Sequence, residues 1–101
     1  MSIQENTKNN KFVFNENLTE DIHKIISYIK EKNYPKYLES LNSLSSPDIL
    51  FTELYKRIDE FDVSKRPGII ILLSKYSYQD SFARDRELNV AALGAELMQN
   101  I

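Results

Sequence analysis

At 101 residues the chain has the size of one domain, with enough interior to fold without disulfide or metal staples. It has no cysteine, 2 glycines and 3 prolines, which excludes disulfides and thiolate metal sites and argues against an all-β fold made of many tight turns. Its 13 basic and 15 acidic side chains are mixed along the sequence, giving a net charge of −2 and no basic block to track a phosphate backbone.

Residues 1–11 are rich in Asn, Lys and Gln and are expected to be a flexible N-terminal tail before a single helical domain at 12–101. They hold neither the apolar core of a secretion signal nor the Arg-rich pattern of a transit peptide. The longest aliphatic run, Ile69 to Leu73, is far too short to span a membrane. The expectation is a cytoplasmic protein with no membrane partner. Phe12-Val13-Phe14 reads as an extended arm laid on the helical body.

The first helix has the clearest signature. Asn17 can cap it and Glu20 sits three residues on, a reciprocal capping arrangement. Leu18, Ile22, Ile25, Ile26 and Ile29 then follow one helical stripe. Asn33-Tyr34-Pro35 should stop it, since the residue before proline is pushed out of the α region. Pro35 can open a short second helix, with Tyr37, Leu38, Leu41 and Leu44 as its apolar face. Ser46 as cap, Pro47 at the first position and Asp48 in the first turn would start a third helix. Its inward face would be Leu50, Phe51, Leu54, Tyr55, Ile58 and Phe61, with a Glu53–Arg57 pair on the other side.

Asp62-Val63-Ser64 breaks that pattern, and Ser64 can cap a fourth helix. Five consecutive aliphatics, Ile69 to Leu73, fit a buried strand or a fully buried helix. Helical spacing of Ile69, Leu72, Leu73 and Tyr76 favours a helix from about 65 to 78. The run should be the hidden centre of the domain, and Gly68 beside it would mark the close approach of a neighbouring backbone. The alternative is an α+β fold pairing 12–14 with 69–73. Asp80 or Asp85 can cap a last helix reaching Gln99. Val90, Leu93, Leu97 and Ile101 form its stripe, and Ala91, Ala92, Gly94 and Ala95 would admit another helix closely. The fold class is therefore all-α, a compact bundle of about five short helices.

Chemistry-bearing patterns are scarce. His23 is the single histidine and reads as a solvated surface residue, since a metal site needs several convergent ligands. The carboxylates alternate with basic residues, as on solvated helix faces. Gly68 and Gly94 are isolated, so no phosphate loop is present. No catalytic, metal or cofactor-binding residue is assigned, no cofactor is expected, and an enzyme is not the leading reading.

The leading expectation is a non-catalytic protein-binding module, such as a small regulator, adaptor or immunity-type inhibitor. Its partner would be another protein or a second copy, met through Tyr76, Tyr78, Val90, Leu93, Leu97 and Ile101, with self-association by the last helix. The alternative is a helix-turn-helix-like nucleic-acid regulator using residues 54–73, with Lys65 and Arg66 facing phosphates. Pro67-Gly68 inside the recognition helix, the greasy residues after it and the acidic net charge all disfavour that reading.

Overall fold

The computed structural model describes residues 18–101. The expected tail, the Phe12–Phe14 arm and the Asn17 cap lie outside the described residues. Five α-helices form an all-α bundle, with no strand among the described residues. The run at 69–73 is helical, so it supplies no strand for an α+β alternative.

Helix α1 is described over 18–31 and buries Ile22, Ile25, Ile26 and Ile29, the stripe its periodicity requires. Its stop comes earlier than the proline. Lys32 adopts φ 59°, the Lys32 N–H donates to Ile29 O at 3.1 Å, and the Asn33 N–H donates to Tyr28 O at 2.9 Å. These are the paired bonds of a helix end closed by a left-handed residue, usually glycine. Asn33 then caps α2 (Tyr34–Ser40), its side-chain oxygen accepting from the Lys36 N–H at 3.3 Å. Tyr34, the residue before proline, is thus helical; Pro35 falls in the first turn, where its missing N–H costs nothing. Within α2 Tyr37 is fully buried, whereas Leu38 is exposed and Leu41 and Leu44 are half-buried beyond the helix end.

The start of α3 (Ile49–Lys56) is also later than expected. Ser46 and Pro47 lie in the turn before it, and the Ser46 hydroxyl bonds the Asp48 carboxylate instead of capping backbone. Leu50, Phe51 and Leu54 face inward, while Tyr55 lies past the edge of that face and is exposed. A tighter 3-10 turn, Ile58–Glu60, ends the α-helical pattern, so Ile58 and Phe61 reach the core from the connection rather than from α3. Glu53 and Arg57 do pair, as their spacing implies. Partial burial raises the Glu53 carboxyl, but hydrogen bonds from Arg57 and Lys56 outweigh it and hold the group below its usual range.

Helix α4 (Arg66–Asp80) follows a second 3-10 turn, Val63–Lys65, and Ser64 does not cap it. Instead Arg66 closes the connection, donating from Nε to Phe61 O and from Nη2 to Asp59 O, both at 2.9 Å. Ile69, Leu72, Leu73 and Tyr76 are buried, but Ile70 and Ile71 are not. The aliphatic run is therefore not a fully hidden centre, because only one side of α4 is covered. A Cβ at Gly68 would meet nothing within 4 Å, so no backbone approaches there.

Asp85 caps α5 (Arg86–Asn100) by accepting from the Leu88 N–H at 3.1 Å. This helix packs on α4 and on α2, while α3 packs on α4. The small-residue expectation holds at Gly94: a Cβ there would lie 2.1 Å from Cε2 of Tyr37. The ring occupies that space, and its hydroxyl donates to Val90 O at 2.7 Å. Burial pushes the Tyr37 phenol well above its usual range. Tyr34 stacks on it with centroids 6.0 Å apart and donates to Ala91 O at 2.8 Å.

Candidate functional site

The partner-binding residues expected from sequence divide sharply. Val90, Leu93 and Leu97 are fully buried in the chain's own core, and Ile101 is half-buried against it. An amphipathic stripe must be covered by something, and here α2 and α4 cover it. Self-association by this stripe would require opening the core. Tyr76 is buried as well, its hydroxyl donating to Glu96 Oε1 at 2.5 Å. That bond to a carboxylate, with burial, raises its phenol to about 12. Of the six residues only Tyr78 lies open.

Tyr78 belongs to a surface that periodicity arguments missed. At about 3.6 residues per turn, Pro67, Ile70, Ile71, Ser74 and Tyr78 run along the side of α4 opposite Ile69, Leu72, Leu73 and Tyr76. Ile70 is 39% exposed, Ile71 67% and Tyr78 71%, and Phe82 in the following turn is 72% exposed. The Tyr78 and Phe82 rings meet with centroids 5.3 Å apart. Full burial of such a side chain is worth roughly 1.5–3 kcal/mol, so this face leaves several such contributions unrealised.

The α4 part of this face carries no charged side chain. Helix α4 contains three ionisable groups of fixed sign: Arg66, Lys75 and Asp80. Arg66 is held on backbone carbonyls, Asp80 is buried, and Lys75 lies at the flank, 3.5 Å from Glu96. The signal was present in the sequence: with 69, 72, 73 and 76 inward, 70, 71 and 78 must point the other way.

An opening of about 420 Å³ lies beside α2 and α5, where Leu38, Leu41, Leu44 and Leu88 share the lining with Asn42 and Ser45. Its edge carries Asp85 and Glu87, so it lacks the neutrality of the α4 face.

Polar clusters serve the fold. Asp80 is the one buried charged residue among the described residues. Its Oδ2 accepts from Arg86 Nε at 3.0 Å and Nη2 at 2.7 Å, and Arg86 also reaches Asp48 Oδ2 at 3.2 Å. This strut pins the start of α5 to the end of α4. Arg86 lies at a helix N-terminus, where a cation is unfavourable, and the two carboxylates offset that. The bonds and charge of Asp80, with those of Asp48, raise the Arg86 guanidinium further.

His23 is exposed and contacts Glu60 Oε1 at 3.1 Å. No group of three or more potential metal ligands occurs among the described residues. No helix among them is long and apolar enough to cross a membrane. Lys65 and Arg66 do not form a free cationic pair, since Arg66 is engaged with Phe61 and Asp59. Residues 57–65 separate α3 from α4, far more than the helix-turn-helix connection of about three or four residues.

Compared with protein-family models, curated proteins and solved structures, the chain matches none.

Proposed function

We propose that this chain is a non-catalytic protein-binding module of the regulator, adaptor or inhibitor kind, working in the cytoplasm. Its docking surface is the outer face of α4, not the α5 stripe. One observation carries the reading: Ile70, Ile71 and Tyr78 stand exposed on the outer side of α4, and exposed Phe82 in the turn after it meets the Tyr78 ring. Large apolar side chains left exposed together on one side of a helix mark an interaction site, and aromatic anchors dominate such interfaces. The partner must present an apolar, uncharged surface, because an unpaired charge buried against this face would be costly. No observation favours the nucleic-acid reading, which would need free cations where Ile70, Ile71 and Tyr78 lie.

Photo-crosslinking in the source cells tests it. A photoreactive side chain at position 71 should trap a protein that the same group at exposed position 23 on α1 does not. Ile71→Lys should weaken that complex at least about tenfold. Identical products from both positions, or none from 71, would defeat the proposal.

A further inference from the structure

We propose that the opening beside α2 and α5 is the seat of the chain's own residues 12–14, with Phe12 and Phe14 entering it and Lys11 meeting its acidic edge. Position comes first. Asp21 and Lys24 of α1 share a shallow depression with Ser40 and Ser43 at the end of α2. Ser43 closes a 3-10 turn, Leu41–Ser43, whose Leu41 and Asn42 line the opening on its other side. One turn of three residues, rising only ~6 Å, thus separates the described start of α1 from the opening. Residues 12–14 precede the described part of α1 by a few positions. At ~3.3 Å per residue, residue 14 reaches up to about 13 Å from Leu18 and residue 12 up to about 20 Å, enough to cross that turn.

Chemistry then selects the occupant. The opening sets leucines beside an acidic edge, and Asp85 and Glu87 on that edge form no ion pair among the described residues. Leu88 is 67% exposed and Leu38 38%, so both have surface to lose. Residues 8–14 read Lys-Asn-Asn-Lys-Phe-Val-Phe, two lysines and then two phenylalanines, while Glu16 falls in the link to α1. Alternate side chains of an extended segment share a side, so Phe12 and Phe14 turn together towards the leucines. Asn42 and Ser45 in the lining offer hydrogen-bond partners to the backbone between them.

The outer face of α4 lacks such an edge: it has apolar side chains but no carboxylate for Lys8 or Lys11 to meet, since Asp80 is buried. Covalent linkage adds the remaining preference. A segment tethered a few residues away faces the opening at an effective concentration of about millimolar, which a free peptide does not share. Seated there, residues 12–14 cover Leu38 and Leu88 within one chain. The outer face of α4 then stays open to a partner, whatever that partner is.

The chain has no cysteine, so pairs of introduced cysteines test the seat in the full-length protein. Val13→Cys keeps both phenylalanines; it is combined with Leu88→Cys at the opening or with Ile71→Cys on the outer face of α4. Mild oxidation at about 1 μM, far below the effective concentration of a tethered pair, favours bonds within one chain. The 13–88 disulfide should form at least about tenfold faster than 13–71, at the mass of a single chain. Adding Phe12→Ser and Phe14→Ser should abolish that preference while helical circular dichroism is kept, and Lys11→Glu should reduce it at low salt. Equal rates for the two pairs would overturn the proposal. So would a preference that survives loss of both phenylalanines, which would show nearness of the tether alone, or a disulfide joining two chains. If 13–71 is the faster pair, residues 12–14 cover α4, and both this seat and the α4 docking surface fall. If 13–88 leads but position 71 crosslinks no partner in cells, the seat stands and only the docking surface falls.

Discussion

The two glycines should respond to the same substitution with opposite signs. Gly94 lies inside α5, where glycine is worse than alanine by roughly 1 kcal/mol in an open helix. Yet a Cβ there would stand 2.1, 2.3 and 2.7 Å from three ring atoms of Tyr37. Overlap that deep forces the ring to move, and it is not free to do so. Tyr37 is fully buried, stacked on Tyr34 and bonded to Val90 O. Overpacking costs about 1–3 kcal/mol and loss of the hydroxyl's bond about 1 kcal/mol more. Against a propensity gain of about 1 kcal/mol, Gly94→Ala should destabilise by about 1–3 kcal/mol.

Gly68 has open space around it and no positive φ, so Gly68→Ala should stabilise, by roughly 0.4–1 kcal/mol. Urea unfolding followed by circular dichroism reads both, with the slope used to check that the transitions remain comparable. Tyr37→Leu should relieve much of the Gly94→Ala penalty, so the double variant loses less than the two single losses combined. If Gly94→Ala is neutral or stabilising, α2 does not seat Tyr37 on α5, and the route by which the α5 stripe is covered is wrong.

Lys32 holds a left-handed conformation that glycine adopts freely, so Lys32→Gly should stabilise by about 0.5–1 kcal/mol in the same assay. Removing Arg86 leaves a buried Asp80 carboxylate without its partner, whereas removing Asp80 leaves a half-exposed Arg86 still beside Asp48. Arg86→Ala should therefore lower the urea midpoint more than Asp80→Ala, and the reverse order would refute the strut. The Tyr76 phenol is raised from 10.0 to about 12 in the folded chain. Above pH 10 the unfolded chain sheds that proton first, so stability should fall between about pH 10 and 12. Tyr76→Phe should flatten that part of an alkaline unfolding profile, and an unchanged profile would exclude the Glu96 bond as its cause.

Much of the fold was legible because helical periodicity and caps are local. The isoleucine stripe of α1, the Asp85 cap and the Glu53–Arg57 pair need only neighbours within a few turns. The helix stops were less legible. Lys32 is an unfavourable residue for a left-handed end, so no composition signal marks it. Ser46 and Ser64, good capping types, bond to nearby aspartates instead.

The candidate site was legible only through its complement. Ile69, Leu72, Leu73 and Tyr76 identify the covered side of α4, and their spacing implies that Ile70, Ile71 and Tyr78 lie on the other. A run of five aliphatics still reads equally well as covered on both sides, because hydrophobicity measures what burial would gain, not whether a neighbour is there.

By itself the sequence determined an all-α chain, the identity of most core residues and the closeness that Gly94 permits. Tertiary structure decided who fills each opening: Tyr37 against Gly94, α2 and α4 over the α5 stripe, and solvent over the outer face of α4. The physical reason is the range of the forces. Propensity and capping act within a turn or two, whereas burial depends on segments distant in sequence, and amphipathicity states that a face needs cover without naming the cover.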